Sequence, residues 1–187
     1  MPVGCGTQKG PYHPCGNATK VEHRVDQKVD QQVLIDLLQR SCADGADRTA
    51  WDAADFLHES GTVQSALTHV ALFMPRFEEI EGEIFFANLG VKPPGGRDGL
   101  AEKVRQSRAQ SPHALIRFVD SCNWLELAYV FQDGSGTDEA YRLLANLIAE
   151  AWGMRLRCLF PDRTFRTRVI EPEETGSCIG VGFEKLV

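Results

Sequence analysis

A chain of 187 residues, of which 43% are hydrophobic and 25% charged, has the length and composition of one ordinary globular domain. Its formal net charge of −6 at pH 7 disfavours non-specific binding to nucleic acids and anionic membranes, because their phosphates attract Lys and Arg. No apolar run approaches the roughly 18 residues that a membrane helix needs. We therefore expect neither nucleic acid nor a membrane as a partner.

The beginning of the chain differs in character from the rest. Residues 1–19 contain repeated glycine and proline and no apolar periodicity, which predicts a flexible segment ahead of a single domain over residues 20–187. The opening residues, MPVGCG, are too polar and glycine-rich for a signal peptide. We therefore expect a soluble, cytoplasmic protein whose cysteines are reduced.

Three helices are predicted in the first part of the domain. Apolar residues at helical spacing indicate one helix over 21–41 and another over 47–58. Thr62 can cap a third helix that runs to Met74 and ends before Pro75. This third helix is expected to turn its apolar face to the core, with inward side chains from Val63, Ala66, Leu67, Val70 and Phe73.

Two short strands around a tight turn are expected within residues 77–88. The glycines and prolines of 90–96 then mark a loop. A polar helix follows over 100–108, where Leu100 and Val104 are the apolar anchors.

Ser111 and Pro112 provide the cap and first-turn proline that begin the next helix. Residues 124–131 are ambiguous between helix and strand, and we favour helix. The helix with the clearest pattern is predicted over 138–157.

The end of the chain alternates in the manner of strands. Apolar and polar residues alternate over 164–170, and apolar residues alternate with small ones over 179–183. A loop at 171–177 separates the two stretches, which predicts a C-terminal β-hairpin. Arg166 and Arg168 should then lie on the face opposite the buried side chains of Phe165, Val169, Val181 and Phe183. The predicted fold class is α+β, with several helices packed against a small antiparallel sheet.

Tests for catalytic motifs favour a protein without enzymatic activity. The glycine pairs at 134–136 and 180–182 lack the third glycine of a dinucleotide-binding turn. Cys122 and His113 lie about 13 Å apart if they share one helix, which is too far for a nucleophile and its base. The carboxylates between Glu78 and Glu83 are more typical of a solvated strand edge than of a catalytic pair.

The N-terminal segment contains the ligand types of a structural zinc site, namely Cys5, His13, Cys15 and His23. Seven, one and seven residues separate these ligands, whereas known zinc fingers place two to four residues between cysteines. The ligand set therefore fits zinc and its spacing does not.

A basic stretch near the end of the chain is the second candidate site, and we call it the arginine strip: Arg155, Arg157, Arg163, Arg166 and Arg168. Asp162 is the one acid within it, so its local net charge is +4. Arginine suits bidentate recognition of carboxylate or phosphate. The commoner explanation for such a stretch is pairing with carboxylates of the same chain, here Glu78–Glu83 or Glu171–Glu174.

Three functions remain open. The leading hypothesis is a small regulatory or protein-interaction module, such as an adaptor or an immunity-type inhibitor, that binds an acidic partner through the arginine strip. The first alternative is an anion-binding enzyme or ligand-binding domain that uses the same arginines. The second alternative is a module stabilised by zinc at the N-terminal Cys and His residues.

Overall fold

The computed structural model describes residues 31–41, 50–51, 53–87, 89, 94–131, 136–175 and 178–186. The elements follow in the order α1 (Gln31–Ser41), α2 (Ala53–Ser60), α3 (Val63–Phe73), β1 (Phe77–Ile80), β2 (Glu83–Phe86), α4 (Gly96–Gln110), α5 (Pro112–Cys122), β3 (Trp124–Glu126), α6 (Leu127–Val130), α7 (Asp138–Leu159), β4 (Thr164–Ile170), α8 (Pro172–Thr175) and β5 (Gly180–Leu186). The α+β class is confirmed. Within these ranges no helix combines the length and apolarity needed to cross a bilayer.

The strands form two antiparallel sheets. Strands β1 and β2 make a hairpin, and the two residues of its turn, Glu81 and Gly82, have φ angles of 52° and 82°. Positive φ at both positions is the geometry of a type I′ turn, which glycine favours. The second sheet has the strand order β3-β5-β4, so β5 lies in the centre and the predicted C-terminal hairpin is confirmed.

Helix α7 packs on one face of the three-stranded sheet and supplies more residues of the main core than any other element. Trp152 and Leu156 of α7 are fully buried against Val181 and Phe183 of β5. The centroids of the Trp152 and Phe86 rings are 4.8 Å apart, and the Trp152 Nε1–H donates to the Leu72 carbonyl oxygen at 2.7 Å. One tryptophan thus joins α7 to the end of α3 and to the β1–β2 hairpin.

A second, smaller core lies between the β1–β2 hairpin and the helices α4 and α5. Ile80 and Phe85 pack there against Val104 and Val119, and Leu100 and Val104 are the buried residues of α4, as the sequence predicts. Because side chains alternate along a strand, β2 sends Ile84 and Phe86 into the main core and Phe85 into the second one. The hairpin is therefore buried on both faces.

Asn123 lies where these parts meet and is the buried polar residue among those described. Its backbone N–H donates to the Asp120 carbonyl oxygen at the end of α5, and its own carbonyl oxygen accepts the Phe183 N–H of β5, both at 3.1 Å. Its side-chain Nδ2 donates to the Ile84 carbonyl oxygen of β2 at 2.8 Å. One asparagine therefore holds a helix end, the central strand and the hairpin together.

Two predicted helix starts are confirmed. Thr62 caps α3, because its hydroxyl accepts the Ser65 N–H at 3.0 Å and the Ser65 hydroxyl accepts the Thr62 N–H at 3.0 Å. Ser111 caps α5 through the Ala114 N–H, with Pro112 in the first turn.

The prediction for residues 124–131 is wrong in its first half, where β3 forms and a single helical turn follows. The cause is pairing with a strand distant in sequence. Trp124 lies over β5, where a Cβ at Gly180 would come within 3.2 Å of the indole and 2.8 Å of the Leu125 carbonyl oxygen. The absence of a side chain at position 180 makes room for β3.

The predicted inward face of α3 is also wrong. Val63, Leu67 and Val70 are 79%, 67% and 51% exposed, Ala66 is exposed, and Phe73 is half-buried. Leu72, on the opposite side of the helix, is the residue of α3 that enters the core.

Some helix boundaries differ from the predictions, and one short helix forms where a loop is predicted. Helix α2 covers Ala53–Ser60 and α4 begins at Gly96, and a short helix, α8, lies within the predicted loop at 171–177. The predicted helix over 21–41 is observed from Gln31 onward, whereas its first part and the segment 1–19 lie outside the described residues.

Replacing the Asn123 side chain should destabilise the fold. In Asn123→Ala the Ile84 carbonyl oxygen loses its donor inside the protein, and we expect the free energy of unfolding to fall by about 2 kcal/mol. Urea denaturation measures this change. Asn146→Ala is the control, because Asn146 is exposed and its side chain donates to the Arg142 carbonyl oxygen of its own helix. Equal losses in the two variants would contradict the role given to Asn123.

Candidate functional site

The structure separates the arginine strip into groups. Arg155 of α7 and Arg163, which lies between α7 and β4, both bond to the segment that carries β1 and β2. Arg155 Nε donates to the Pro75 carbonyl oxygen at 2.6 Å, and Arg163 Nη2 contacts Glu79 Oε1 at 2.6 Å. Arg163 also donates to the Gly82 carbonyl oxygen of the hairpin turn at 3.2 Å. These two arginines have a structural role.

Arg166 and Arg168 lie together on the other face of the sheet from α7, as the alternation of β4 predicts. Their side chains are 60% and 42% exposed. Arg166 forms an ion pair with Glu184, which is its direct cross-strand neighbour on β5, and Arg168 Nη1 contacts Glu174 Oε2 of α8 at 2.7 Å. We call Arg166 and Arg168 the arginine pair, and the face that they share the outer face.

Arg157 is not brought to the outer face. It is exposed on α7, the helix that packs against the inner side of the sheet. The strip is therefore continuous in sequence and divided in space. Arg163, Arg166 and Arg168 form ion pairs within the chain. Two of their partners, Glu79 and Glu174, lie in the acidic segments that the sequence analysis names, whereas Glu184 lies outside them.

Backbone hydrogen bonds determine which way β4 presents its polar groups. Phe183 donates to Asn123, and Leu127 donates to Ile179, so the odd-numbered residues of β5 turn their N–H and C=O groups to β3. The even-numbered residues of β5 therefore turn theirs to β4. Their partners on β4 include the arginine pair, because Glu184 is opposite Arg166 and Gly182 is opposite Arg168.

The remaining backbone groups of β4 point away from the sheet. They belong to Phe165, Thr167 and Val169, and they form an edge at which no described residue contributes a hydrogen bond. The arginine side chains alternate with this row of backbone groups and project from the outer face. We call this edge, with which none of the described residues pairs, the free edge of β4; it and a pair of guanidinium groups occupy the same seven residues.

Beside the arginine pair the outer face has an open depression of about 270 Å³, solvent space included. Its lining includes Asp120, Trp124, Arg168, Ile170, Gly182 and Glu184. Burial raises the pKa of the Asp120 carboxyl, the negative charge of Glu184 raises it further, and Arg168 and Arg166 act in the opposite direction. Two carboxylates at one depression make it a poor site for a small anion.

The other candidate residues are not assembled into a reactive centre. Burial raises the pKa of the Cys122 thiol, which disfavours the thiolate needed by a nucleophile. Cys5, His13, Cys15 and His23 all lie outside the described residues, so the zinc site stays a prediction. Across the part of the chain that the structure describes, no three His, Cys, Asp or Glu side chains are grouped to hold a metal.

The raised pKa of Asp120 has a consequence for stability. A carboxyl whose pKa is raised by folding contributes stability when protonated at low pH, and this contribution is lost as pH rises through the folded-state pKa. Asp120→Asn should therefore raise the melting temperature at pH 7 and change it little at pH 3.

Glu174→Gln is the control, and its expected change in melting temperature is in the opposite direction, because the hydrogen bond from Arg168 lowers the pKa of the Glu174 carboxyl. That variant should have a lower melting temperature at pH 7, and the difference should disappear in acid. Calorimetry over this pH range makes both measurements. A lower melting temperature of Asp120→Asn at pH 7 would show that the Asp120 carboxylate is stabilised by ion pairing.

Comparisons with known proteins do not extend this description. No protein-family model, no curated protein sequence and no solved structure matches the chain. The β4 edge with its arginine pair is the arrangement from which a function can be argued.

Proposed function

We propose that this protein is a protein-interaction module that binds an extended acidic segment of a partner protein as an added strand on the free edge of β4. The observation that carries the proposal is the coincidence of that edge with the arginine pair. Strand addition to an exposed edge is a general mode of peptide recognition, in which the backbone gives affinity and alternate side chains give specificity.

The backbone of β4 is suited to an added strand. Thr164–Ile170 is seven residues long, and the outward N–H and C=O groups of Phe165, Thr167 and Val169 repeat every second residue. An antiparallel segment would form its hydrogen-bonded pairs with these three residues. Arg166 and Arg168 would then occupy non-hydrogen-bonded pairs, in which the side chains of opposing residues approach most closely.

The arginine pair selects for acidic side chains in the partner. Residues opposite Arg166 and Arg168 are two apart in an added strand and share the outer face, so an acid-x-acid spacing matches both. Each guanidinium has five N–H donors, and its ion pair within the chain leaves others available. The Arg168–Glu174 pair is exposed and contributes little to stability, so exchanging Glu174 for a carboxylate of the partner costs little. Glu184 is half-buried, so a carboxylate of the partner would share Arg166 with it.

The same charges oppose pairing of β4 with itself. In an antiparallel pair of two β4 strands centred on Thr167, Arg166 of each strand would face Arg168 of the other. Like charges placed directly opposite one another are destabilising. The edge therefore disfavours a second copy of this chain and favours an acidic strand.

The alternative of a small-anion site has less support. A small anion in the depression beside Arg168 would meet Asp120 and Glu184 and would gain no backbone hydrogen bonds from the β4 edge. An added strand gains those hydrogen bonds in addition to its contacts with the arginine pair. Within the interaction class, an adaptor or an inhibitor would both use the proposed edge.

The proposal is tested with a capped peptide of sequence TEVEVET, whose glutamates match the spacing of the arginine pair. We expect isothermal titration calorimetry to detect binding that weakens with salt, because exposed charges are screened. Replacing both members of the pair in Arg166→Gln/Arg168→Gln should weaken binding at least ~10-fold, equivalent to about 1.4 kcal/mol. Arg97→Gln/Arg105→Gln is the charge-matched control and should leave binding unchanged, because both arginines lie on α4 and pair with Glu78 and Glu81 of the β1–β2 hairpin.

Methylated peptides separate strand addition from simple charge attraction. N-methyl groups on the valine amides face the β4 edge and should abolish binding, whereas N-methyl groups on the glutamate amides point away and should be tolerated. Equal binding of both methylated peptides would overturn strand addition. Unchanged binding by the Arg166→Gln/Arg168→Gln variant would overturn the role of the arginine pair.

A further inference from the structure

The face of the sheet that α7 covers, which we call the inner face, has α7 lying along β4 in the opposite direction. At one end, the ring centroids of Phe160 and Phe165 are 6.0 Å apart. At the other end, Arg142 Nε contacts Glu171 Oε2 at 3.1 Å, just beyond the last residue of β4. A helix is about 10 Å wide and strands are spaced about 4.8 Å apart, so the flank of α7 would adjoin a strand added beside β4.

The helix and the strand approach each other closely at Gly153. This glycine is buried, and a Cβ on it would come within 3.0 Å of Thr167 Oγ1 and 3.5 Å of Arg157 Nη1. The guanidinium of Arg157 is therefore directed back along α7, toward the N-terminus of the helix, as long helical side chains usually are. It lies beside the inner side of the middle residue of β4.

Arg157 differs from the other members of the arginine strip in having no partner among the residues that the structure describes. Its side chain is exposed, and it forms no hydrogen bond or ion pair with any of them. Glu150 is on the same side of α7, but it lies seven residues earlier, about 10 Å along the helix axis, and the two do not pair. A cation without a partner thus lies next to Thr167.

We propose that the acidic segment of the partner carries three consecutive acidic residues and that Arg157 binds the middle one. This inference rests on the proposed strand addition at the free edge of β4. In that arrangement the residues opposite Arg168 and Arg166 project from the outer face, and the residue between them, opposite Thr167, projects from the inner face. Its side chain would extend beside Gly153 toward Arg157, so the edge recognises acids from both faces.

The position opposite Thr167 favours a carboxylate over an apolar side chain. A side chain there would cover part of the Arg157 guanidinium and remove water from it, and a charged group that loses water without gaining a partner raises the free energy of the complex. A carboxylate replaces that water, and the Thr167 hydroxyl can donate to it as well. The same arginine therefore favours an acid and disfavours an apolar residue, and both effects contribute to specificity.

Two capped peptides, TVEEEVT and TVEQEVT, test this proposal by isothermal titration calorimetry at low salt. Each reads the same in both directions, so its central residue lies opposite Thr167 whichever way the segment runs. Wild type should bind the peptide with the central glutamate about 5-fold more tightly. In Arg157→Gln this preference should disappear while the affinity for TVEQEVT is unchanged, and Arg157→Lys should keep part of it because the charge remains.

Arg142→Gln is the matched control, because it removes the same charge from α7 about 22 Å away along the helix, where Arg142 pairs with Glu171. It should keep the preference of wild type. Equal affinity of wild type for the two peptides, or the same loss of preference in Arg142→Gln and Arg157→Gln, would overturn the role of Arg157 and leave strand addition standing. Absence of binding by both peptides would overturn strand addition itself, and this inference with it.

Discussion

The hydrogen bond from the Asn123 side chain to the Ile84 carbonyl oxygen is the interaction on which the arrangement of the rest depends. It joins residues 39 apart in sequence and lies in the boundary between the two cores. The backbone of the same residue ends α5 and begins the pairing of β3 with β5. The position of the central strand, and with it the direction in which β4 presents its edge, follows from this junction.

The sequence correctly predicts those elements that depend on interactions between residues close together in the chain. The caps at Thr62 and Ser111 need only a backbone N–H three residues away, that of Ser65 or Ala114, and both form as expected. The alternation of β4 likewise separates Phe165 and Val169 from the arginine pair, since the period of a strand assigns its faces. Strand β3 could not be predicted in this way, because it depends on the small residue at position 180 of a distant strand.

The helix α3 illustrates a different limit of sequence reasoning. Its apolar spacing correctly identifies a helix, but periodicity cannot tell whether a partner face lies inside the same chain. Burial of Leu72 by Trp152 decides the orientation, and that contact spans 80 residues. The candidate site is likewise predictable only in part. The charge of the arginine strip can be read from the sequence, whereas the free edge depends on the strand order β3-β5-β4.

That strand order also bears on how the chain reaches its fold. The central strand of the three-stranded sheet, β5, follows both of its neighbours in sequence, so neither β3 nor β4 has its pairing partner while the chain is still being synthesised up to that point. The sheet closes only when residues 180–186 become available. The pairing of β3 with β5 joins residues distant in sequence, Glu126 and Gly180, whereas the short connection 171–179 joins β4 to β5. Until β5 pairs with it, β4 is open along both edges, and its two arginines oppose pairing with another copy of the same strand.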